Sequence, residues 1–185
     1  TNTVSSSGTS RRVFRYDTLG NTTTRTNPAL ETENLTWNTH GQLATVTSGT
    51  QVDTDNLYGA DGQLLIARNP AVGTTTLYLP GQELTLNTGT GVVTGKRYYA
   101  TPDGTTCVRT GTGTSYSYLV GDQNGTATVS LDSFGRNPVW RTYTPYGAAR
   151  GTGPTSWPDT HGYLGQPVDA GTGLNEVIPG RRPPC

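Results

Sequence analysis

The pentapeptide YDTLG at residues 16–20 decides the fold, because an aromatic residue stands four places before a glycine and this spacing recurs along the chain. It returns as WNTHG at 37–41, YGADG at 58–62 and YTPYG at 143–147. A glycine recurs between these sites as well, so the period is about 21 residues, which predicts an array of small, similar units. The predicted turn glycines are Gly20, Gly41, Gly62, Gly81, Gly104, Gly125 and Gly147, and the repeat aromatics are Tyr16, Trp37, Tyr58 and Tyr143.

The residues after each glycine alternate between apolar and polar side chains. The segments GQLATV at 41–46, GQLLIA at 62–67 and GQELTL at 81–86 place apolar residues two apart, as a half-buried strand does. The glycine suits a tight hairpin turn that needs a positive φ. Strands average about five to six residues, so each period holds two strands and two turns. The sequence therefore predicts an all-β array of antiparallel hairpins that forms a curved or spiralling sheet.

Composition excludes several classes of function. The chain has 185 residues, 25 of them glycine, with 13 basic and 13 acidic side chains and no net charge. No basic patch indicates nucleic-acid binding, and no apolar run approaches the roughly 20 residues that a membrane helix needs. We expect an N-terminal extension at 1–10, a hairpin array at 11–150 and a loop-rich segment with a divergent tail at 151–185.

The YDTLG motif and its looser copies resemble the YD repeat of the Rhs family. The stretch HGYLGQPVDAGTGL at 161–174 is similar to the repeat-associated core segment that closes such arrays. Together the two motifs cover nearly the whole chain. The residues that carry the second resemblance are Gly162, Tyr163, Leu164, Gly165, Asp169, Thr172, Gly173 and Leu174.

This resemblance implies a structural role. Rhs-like proteins spiral their hairpins into a hollow β-shell, and in the bacterial toxin carriers the core-associated segment plugs or lines one end and a variable toxin follows. The chain is then expected to be non-enzymatic wall material, secreted or on a cell surface and bacterial. Its expected partners are the remainder of a larger shell or further copies of itself.

The C-terminal tail departs from the family pattern. Residues 175–185 read NEVIPGRRPPC where the family usually continues with a segment like Gly-Ala-Arg-Tyr-Asp-Pro, and the chain contains no Asp-Pro dipeptide. The self-cleavage of the family uses such a site, so none is expected here. A remnant of a toxin carrier that lacks its toxin domain is one alternative to a working shell segment.

A glycan-binding or adhesion module is a second alternative, since aromatic rings on a β-surface can stack on sugars. Cross-strand packing is the preferred interpretation of the same rings. Trp157, Tyr163, Leu164, Leu174 and Ile178 are expected to form a small apolar cluster that fastens the terminal residues to the array.

No catalytic, metal or cofactor site is expected. His40 and His161 each adjoin a glycine, which predicts surface turns, and Asp53, Asp55 and Asp122 are interpreted as turn-capping residues. The two cysteines, Cys107 and Cys185, allow one disulfide within the chain or between copies.

Overall fold

The computed structural model describes residues 2–5, 11–26, 31–102 and 104–175. Within these residues there are fourteen strands and no α-helix, which confirms the predicted all-β hairpin array. Each strand lies beside the next one in the chain, so the order in the sheet is the order in the sequence. The strands are β1 (Asn2–Ser5), β2 (Arg11–Tyr16), β3 (Thr22–Thr26), β4 (Thr32–Trp37), β5 (Leu43–Ser48), β6 (Gln51–Tyr58), β7 (Leu64–Asn69), β8 (Thr74–Leu79), β9 (Gln82–Asn87), β10 (Val93–Ala100), β11 (Thr106–Thr110), β12 (Tyr116–Gly121), β13 (Ala127–Leu131) and β14 (Val139–Trp140).

Two short 3₁₀ turns, Pro70–Val72 and Tyr163–Gly165, complete the regular structure. No helix among the described residues is long and apolar enough to cross a bilayer.

One turn geometry repeats at nearly every period. At Asp17 the backbone N–H donates to the Asn21 carbonyl at 2.9 Å, and the Gly20 N–H donates to the Asp17 carbonyl at 3.2 Å. The Asp17 carboxylate accepts from the N–H groups of Leu19 and Asn21, so it satisfies donors that the turn leaves free. The same two backbone bonds begin at residues 38, 59, 101, 122, 132, 144 and 162. All seven predicted turn glycines have a positive φ, between +69° and +88°.

A β-bulge follows four of these eight turns and corrects the predicted strict alternation. Trp37 pairs with Leu43 and Thr36 with Thr45, so Ala44 is the extra residue that pairs with nothing opposite. The buried side chains of β5 are consequently Leu43 and Val46, three residues apart and not two. The same irregularity occurs between β2 and β3, between β6 and β7, and between β12 and β13.

The chain divides into two compact units. The first contains the described residues up to 76, residues 87–90 and residues 169–173. Its turn-side aromatics bond to the strand fifteen residues earlier: the Trp37 indole donates to the Thr22 carbonyl and the Tyr58 hydroxyl to the Leu43 carbonyl. Both rings are therefore held by hydrogen bonds between strands. The buried apolar side chains of this unit are Leu35, Leu43, Val46, Leu64 and Ala67.

The second unit contains the described residues of 77–86 and 91–168, together with residues 174 and 175. Its buried apolar side chains are few, Val108 and Leu119, and they are joined by buried polar residues such as Glu83, Thr126 and Ser130. A core this small gives hydrogen bonds a large share in fixing the structure.

Candidate functional site

Residues 151–175, here called the terminal segment, bury the carboxylates of Asp169 and Asp159 in two separate places. The first, the Asp169 anchor, lies in the first unit. Asp169 is buried, and its Oδ1 accepts from the hydroxyls of Thr54 and Thr172, both at 2.7 Å, and from the N–H groups of Gly171 and Thr172. Its Oδ2 accepts from the Asn69 amide at 2.7 Å. Neutral donors therefore satisfy both oxygens of this carboxylate.

Strands β6 and β7 present the donors. Thr54 and Asn69 are almost fully buried, and the Asn69 amide also donates to the Thr54 hydroxyl at 3.1 Å. Gly171 lies so close to β6 that a Cβ there would be 2.6 Å from the Asp53 carbonyl oxygen. Only glycine fits at this point, a requirement that sequence reasoning missed because Gly171 follows no turn period.

A buried ion pair adjoins the anchor. Arg25 donates through Nε to the buried Glu33 carboxylate and through Nη2 to the Thr172 carbonyl at 3.2 Å. The arginine therefore joins β3 and β4 to the terminal segment with one side chain.

The second place, here called the Tyr98 cluster, lies in the second unit. The Tyr98 hydroxyl is 3.0 Å from both Glu83 Oε1 and Asp159 Oδ1. Thr160 donates to Glu83 Oε1 at 2.6 Å, and His161 Nδ1 lies 2.8 Å from Asp159 Oδ1. The Tyr98 and His161 rings meet edge to face at 4.9 Å. Two carboxylates thus share one phenol proton at a buried point.

Electrostatics keep that phenol protonated. Burial, followed by the charges of Asp159 and Glu83, raises the pKa of Tyr98 far above its ordinary value. Burial also works to raise the pKa of Asp159, but the hydrogen bond and charge of His161 outweigh it and hold that pKa below its ordinary value. A phenol held neutral between two carboxylates is a hydrogen-bond donor and a poor nucleophile, so the cluster is built for attachment.

Arg141 holds the terminal segment beside this cluster. Its guanidinium carbon lies 4.0 Å from the centre of the Trp157 ring and 5.5 Å from that of Tyr143, and it donates to the His161 carbonyl at 2.8 Å. Burial lowers the pKa of Arg141. The predicted apolar cluster is thus replaced at Trp157 by a cation–π contact.

Two further residues of the predicted cluster make hydrogen bonds to residues outside the terminal segment. The Tyr163 hydroxyl donates to the Pro145 carbonyl at 2.7 Å, and the Leu164 N–H donates to the buried Thr126 hydroxyl at 2.9 Å. Ile178 lies outside the described residues, as does the rest of the tail from residue 176.

The glycines of the core-associated motif serve different purposes. A Cβ at Gly162 would be 2.6 Å from Val168 Cγ2, and one at Gly165 would be 2.9 Å from the Gly125 carbonyl oxygen. Gly173 has open space around it and a φ of +66°, so conformation and not crowding favours glycine there. Leu174, the last residue of the motif, is half-buried.

Several interpretations of single residues need correction. His40 lies in an exposed turn as predicted, but His161 is half-buried against Asp159 and Tyr98. Asp53 and Asp55 lie within β6, where Asp53 accepts from Ser48 and Asp55 pairs with Arg68. They cap no turn, because the hairpin turns begin elsewhere, at the aspartates such as Asp122 that precede the glycine by three.

Among the described residues Cys107, on β11, has no disulfide partner, and burial raises the pKa of its thiol. Cys185, with which the sequence allows a disulfide, lies outside the described residues. Among residues 2–5, 11–26, 31–102 and 104–175, no group of three His, Cys, Asp or Glu side chains is placed to hold a metal.

Sequence comparison identifies no matching protein family, and no curated protein matches the chain. Solved structures do match. A structure of the Photorhabdus luminescens Tc holotoxin pore, which carries a mutation in TccC3, superposes with a TM-score of 0.62 and 20% identity over 89% of this chain. The TcdB2-TccC3 structure gives 0.61 at 20%, and TcdB2-TccC3 without its hypervariable C-terminal region gives 0.57 at 21%. The chain spans 11% of the length of these proteins.

Proposed function

We propose that this chain is a non-enzymatic wall segment of an Rhs-type β-shell, of the kind found in secreted toxin carriers. The observation that carries the proposal is the fold similarity to Tc toxin chains, which extends over 89% of this chain and only 11% of theirs. A piece of that size supplies part of a wall, and the adjoining wall comes from the remainder of a larger shell or from further copies of the chain.

The adjoining wall can be joined by strand addition at the ends of the sheet. The two end strands, β1 and β14, each have one strand neighbour in the described chain. Unpaired edges recruit further strands. β14 has only two residues, and its Trp140 is 65% exposed. Strand addition at β14 would bury that ring and satisfy the free backbone groups.

The terminal segment then acts as an internal fastening. Its contacts at the Asp169 anchor and at the Tyr98 cluster stabilise hairpins whose apolar cores are small. A remnant carrier that has lost its toxin would retain the same contacts, so we propose secretion and a structural role for either form.

The test is the absolute mass of the native chain by light scattering after size exclusion, over a dilution series. We expect a species larger than one chain that dissociates on dilution, and we expect Trp140→Lys to shift it towards the monomer. Val72→Lys is the matched control, because Val72 is 48% exposed in the turn between β7 and β8, in the middle of the strand order. A monomer at every concentration, unchanged by either substitution, would contradict strand addition between copies.

A glycan-binding module is the second candidate, favoured by one observation. Tyr99 and Trp140 in the second unit are exposed on strands, at 39% and 65%, whereas Trp37 and Tyr58 in the first unit are engaged in bonds between strands. Exposed rings on a sheet can stack on sugar faces.

A further inference from the structure

One face of strands β10–β12, here called the arginine–tyrosine face, carries two arginines and three tyrosines. Arg97 is directly opposite Arg109, and Arg109 is directly opposite Tyr116. Tyr99 is opposite Cys107, which is opposite Tyr118. Directly opposed residues share a face of the sheet, and so do residues two apart on one strand. The members of the face are Arg97, Tyr99, Arg109, Tyr116 and Tyr118.

The charge on this face has no counterion within its own strands. The residues of β9–β13 are all described, and Glu83 is the one carboxylate among them. Glu83 pairs with Lys96, which neighbours Arg97 along β10 and therefore lies on the opposite face. Like charges directly opposite each other destabilise a sheet. A bound anion would remove that cost.

The arginines also have unused hydrogen-bonding capacity. Arg109 Nε is buried and has no hydrogen-bond partner. Arg97 Nη2 donates to the neutral amide oxygen of Gln82 at 3.3 Å, a partner that brings no negative charge. A guanidinium presents a planar fork that binds carboxylates in bidentate fashion, so two of them side by side favour a ligand with repeated acidic groups.

Aromatic and apolar groups surround this charge. Tyr99 and Tyr118 lie two strands apart, a separation of about 10 Å, with the Cys107 side chain between them. Leu131 opposes Tyr118 and extends the same row onto β13. The face thus presents rings in a line next to paired cations.

We propose that the arginine–tyrosine face binds an acidic oligosaccharide, with Arg97 and Arg109 contacting its carboxylates and Tyr99 and Tyr118 stacking on its rings. The proposal deepens the second candidate function and rests on it. A sugar is favoured over an acidic peptide because rings aligned along one face of the sheet match the flat faces of successive sugar units. The face is independent of strand addition, so failure here leaves the mass measurement and the shell proposal untouched.

The test is calorimetric titration of the full chain with an oligogalacturonate, compared with a neutral glucan oligomer of equal length and with oligoglutamate. We expect binding of the uronate that weakens as salt rises, and weaker binding of the other two probes by at least about tenfold. Arg97→Gln and Arg109→Gln should each weaken uronate binding about tenfold or more. Arg68→Gln is the matched control, because Arg68 is an exposed arginine in the first unit, paired with Asp55.

A second readout uses the thiol in the middle of the face. In a Cys185→Ser background, the uronate should slow alkylation of Cys107, and Arg97→Gln should abolish that protection. Arg97 is exposed, so its substitution spares the core even if Arg109→Gln unfolds the protein. Equal binding of neutral glucan or oligoglutamate, or unchanged affinity in Arg97→Gln, would overturn the proposal.

Discussion

The Asp169 anchor and the Tyr98 cluster both bury carboxylates of the terminal segment, but they compensate the charge with different partners. At the Asp169 anchor, hydroxyl, amide and backbone N–H donors satisfy one carboxylate. In the Tyr98 cluster, two carboxylates share a phenol and are approached by the ionisable groups of His161 and Lys96.

The difference teaches which attachment has a donor that titrates. Neutral hydroxyl, amide and backbone donors do not titrate, so the Asp169 anchor keeps its donors as the pH rises. The phenol of the Tyr98 cluster does titrate, and loss of its proton at alkaline pH leaves Glu83 and Asp159 without their shared donor. At high pH the second attachment is therefore the one that weakens.

Of the substitutions that test this comparison, removal of the Asp169 carboxylate should lower the unfolding free energy most. Asp169→Ala leaves the buried Thr54 hydroxyl and one N–H of the Asn69 amide without an acceptor, and we expect a loss of about 3–5 kcal/mol of unfolding free energy. The urea midpoint measures it. Asp169→Asn, which keeps one acceptor oxygen, should lose clearly less. A loss below about 1 kcal/mol in Asp169→Ala would show that the anchor contributes little.

Crowding at the same anchor gives the second effect. Gly171→Ala places a methyl group 2.6 Å from the Asp53 carbonyl oxygen, so β6 or the terminal segment has to shift. We expect a loss of about 2–3 kcal/mol. Gly173→Ala is the comparison, because it meets no atom within 4 Å and costs only the strain of its positive φ, about 1–2 kcal/mol. Equal losses in the two variants would argue against the close approach.

Removal of one hydroxyl tests the Tyr98 cluster. Tyr98→Phe takes a donor from Glu83 and Asp159, and we expect a loss of about 1–2 kcal/mol near neutral pH. The pKa of Tyr98 is raised on folding above its unfolded value of about 10, so the associated stability is complete below about pH 10 and is lost as the pH rises through the folded value.

Unfolding curves of wild type and Tyr98→Phe at alkaline pH therefore test whether stability falls as the pH rises. The variant should lose stability less steeply above about pH 10. Tyr99→Phe, on the opposite face, is the control that removes a phenol outside the cluster. Parallel curves for Tyr98→Phe and wild type would refute the assignment.

The smallest change in stability is expected in the repeated turns, where the carboxylate of Asp17 is exposed. Hydrogen bonds from the Asn21 side chain and from backbone N–H groups lower the pKa of Asp17, so its contribution is present above about pH 4 and is lost as the pH falls through the lowered value. Asp17→Asn should flatten this acid slope and keep the turn, because Asn38 makes the same backbone contacts in the next period.

Asn38→Asp is the reciprocal control and should add an acid slope of the same sign. Unfolding midpoints between about pH 3 and pH 6 measure both changes. A loss of the turn in Asp17→Asn, seen as a fall in stability at neutral pH, would contradict the equivalence of the two positions.

Sequence reasoning succeeded where the cause is local. The turn glycines follow from a backbone requirement within five residues, and the hairpin array follows from their spacing. The β-bulge at Ala44 escaped it, because an inserted residue leaves the composition of a strand unchanged and alters only which side chains face inward.

The attachments of the terminal segment could not be predicted from the sequence, because they join residues that are far apart in the chain. Thr54 and Asp169 are 115 residues apart, and Tyr98 and Asp159 are 61 apart. Nothing in either local pattern distinguishes Thr54 from the many other threonines. His161 resembled a turn residue because its neighbour is glycine, and its burial depends on a tyrosine far away in the chain.

The identity of strand order and chain order has a consequence for synthesis. Each hairpin can pair with the one before it as soon as it leaves the ribosome, because the loops to be closed are short and the entropic cost is small. The hydrogen bond between Thr54 and Asp169 must wait for 115 more residues. The terminal segment is synthesised after these hairpins, so its contacts form on hairpins that have already folded.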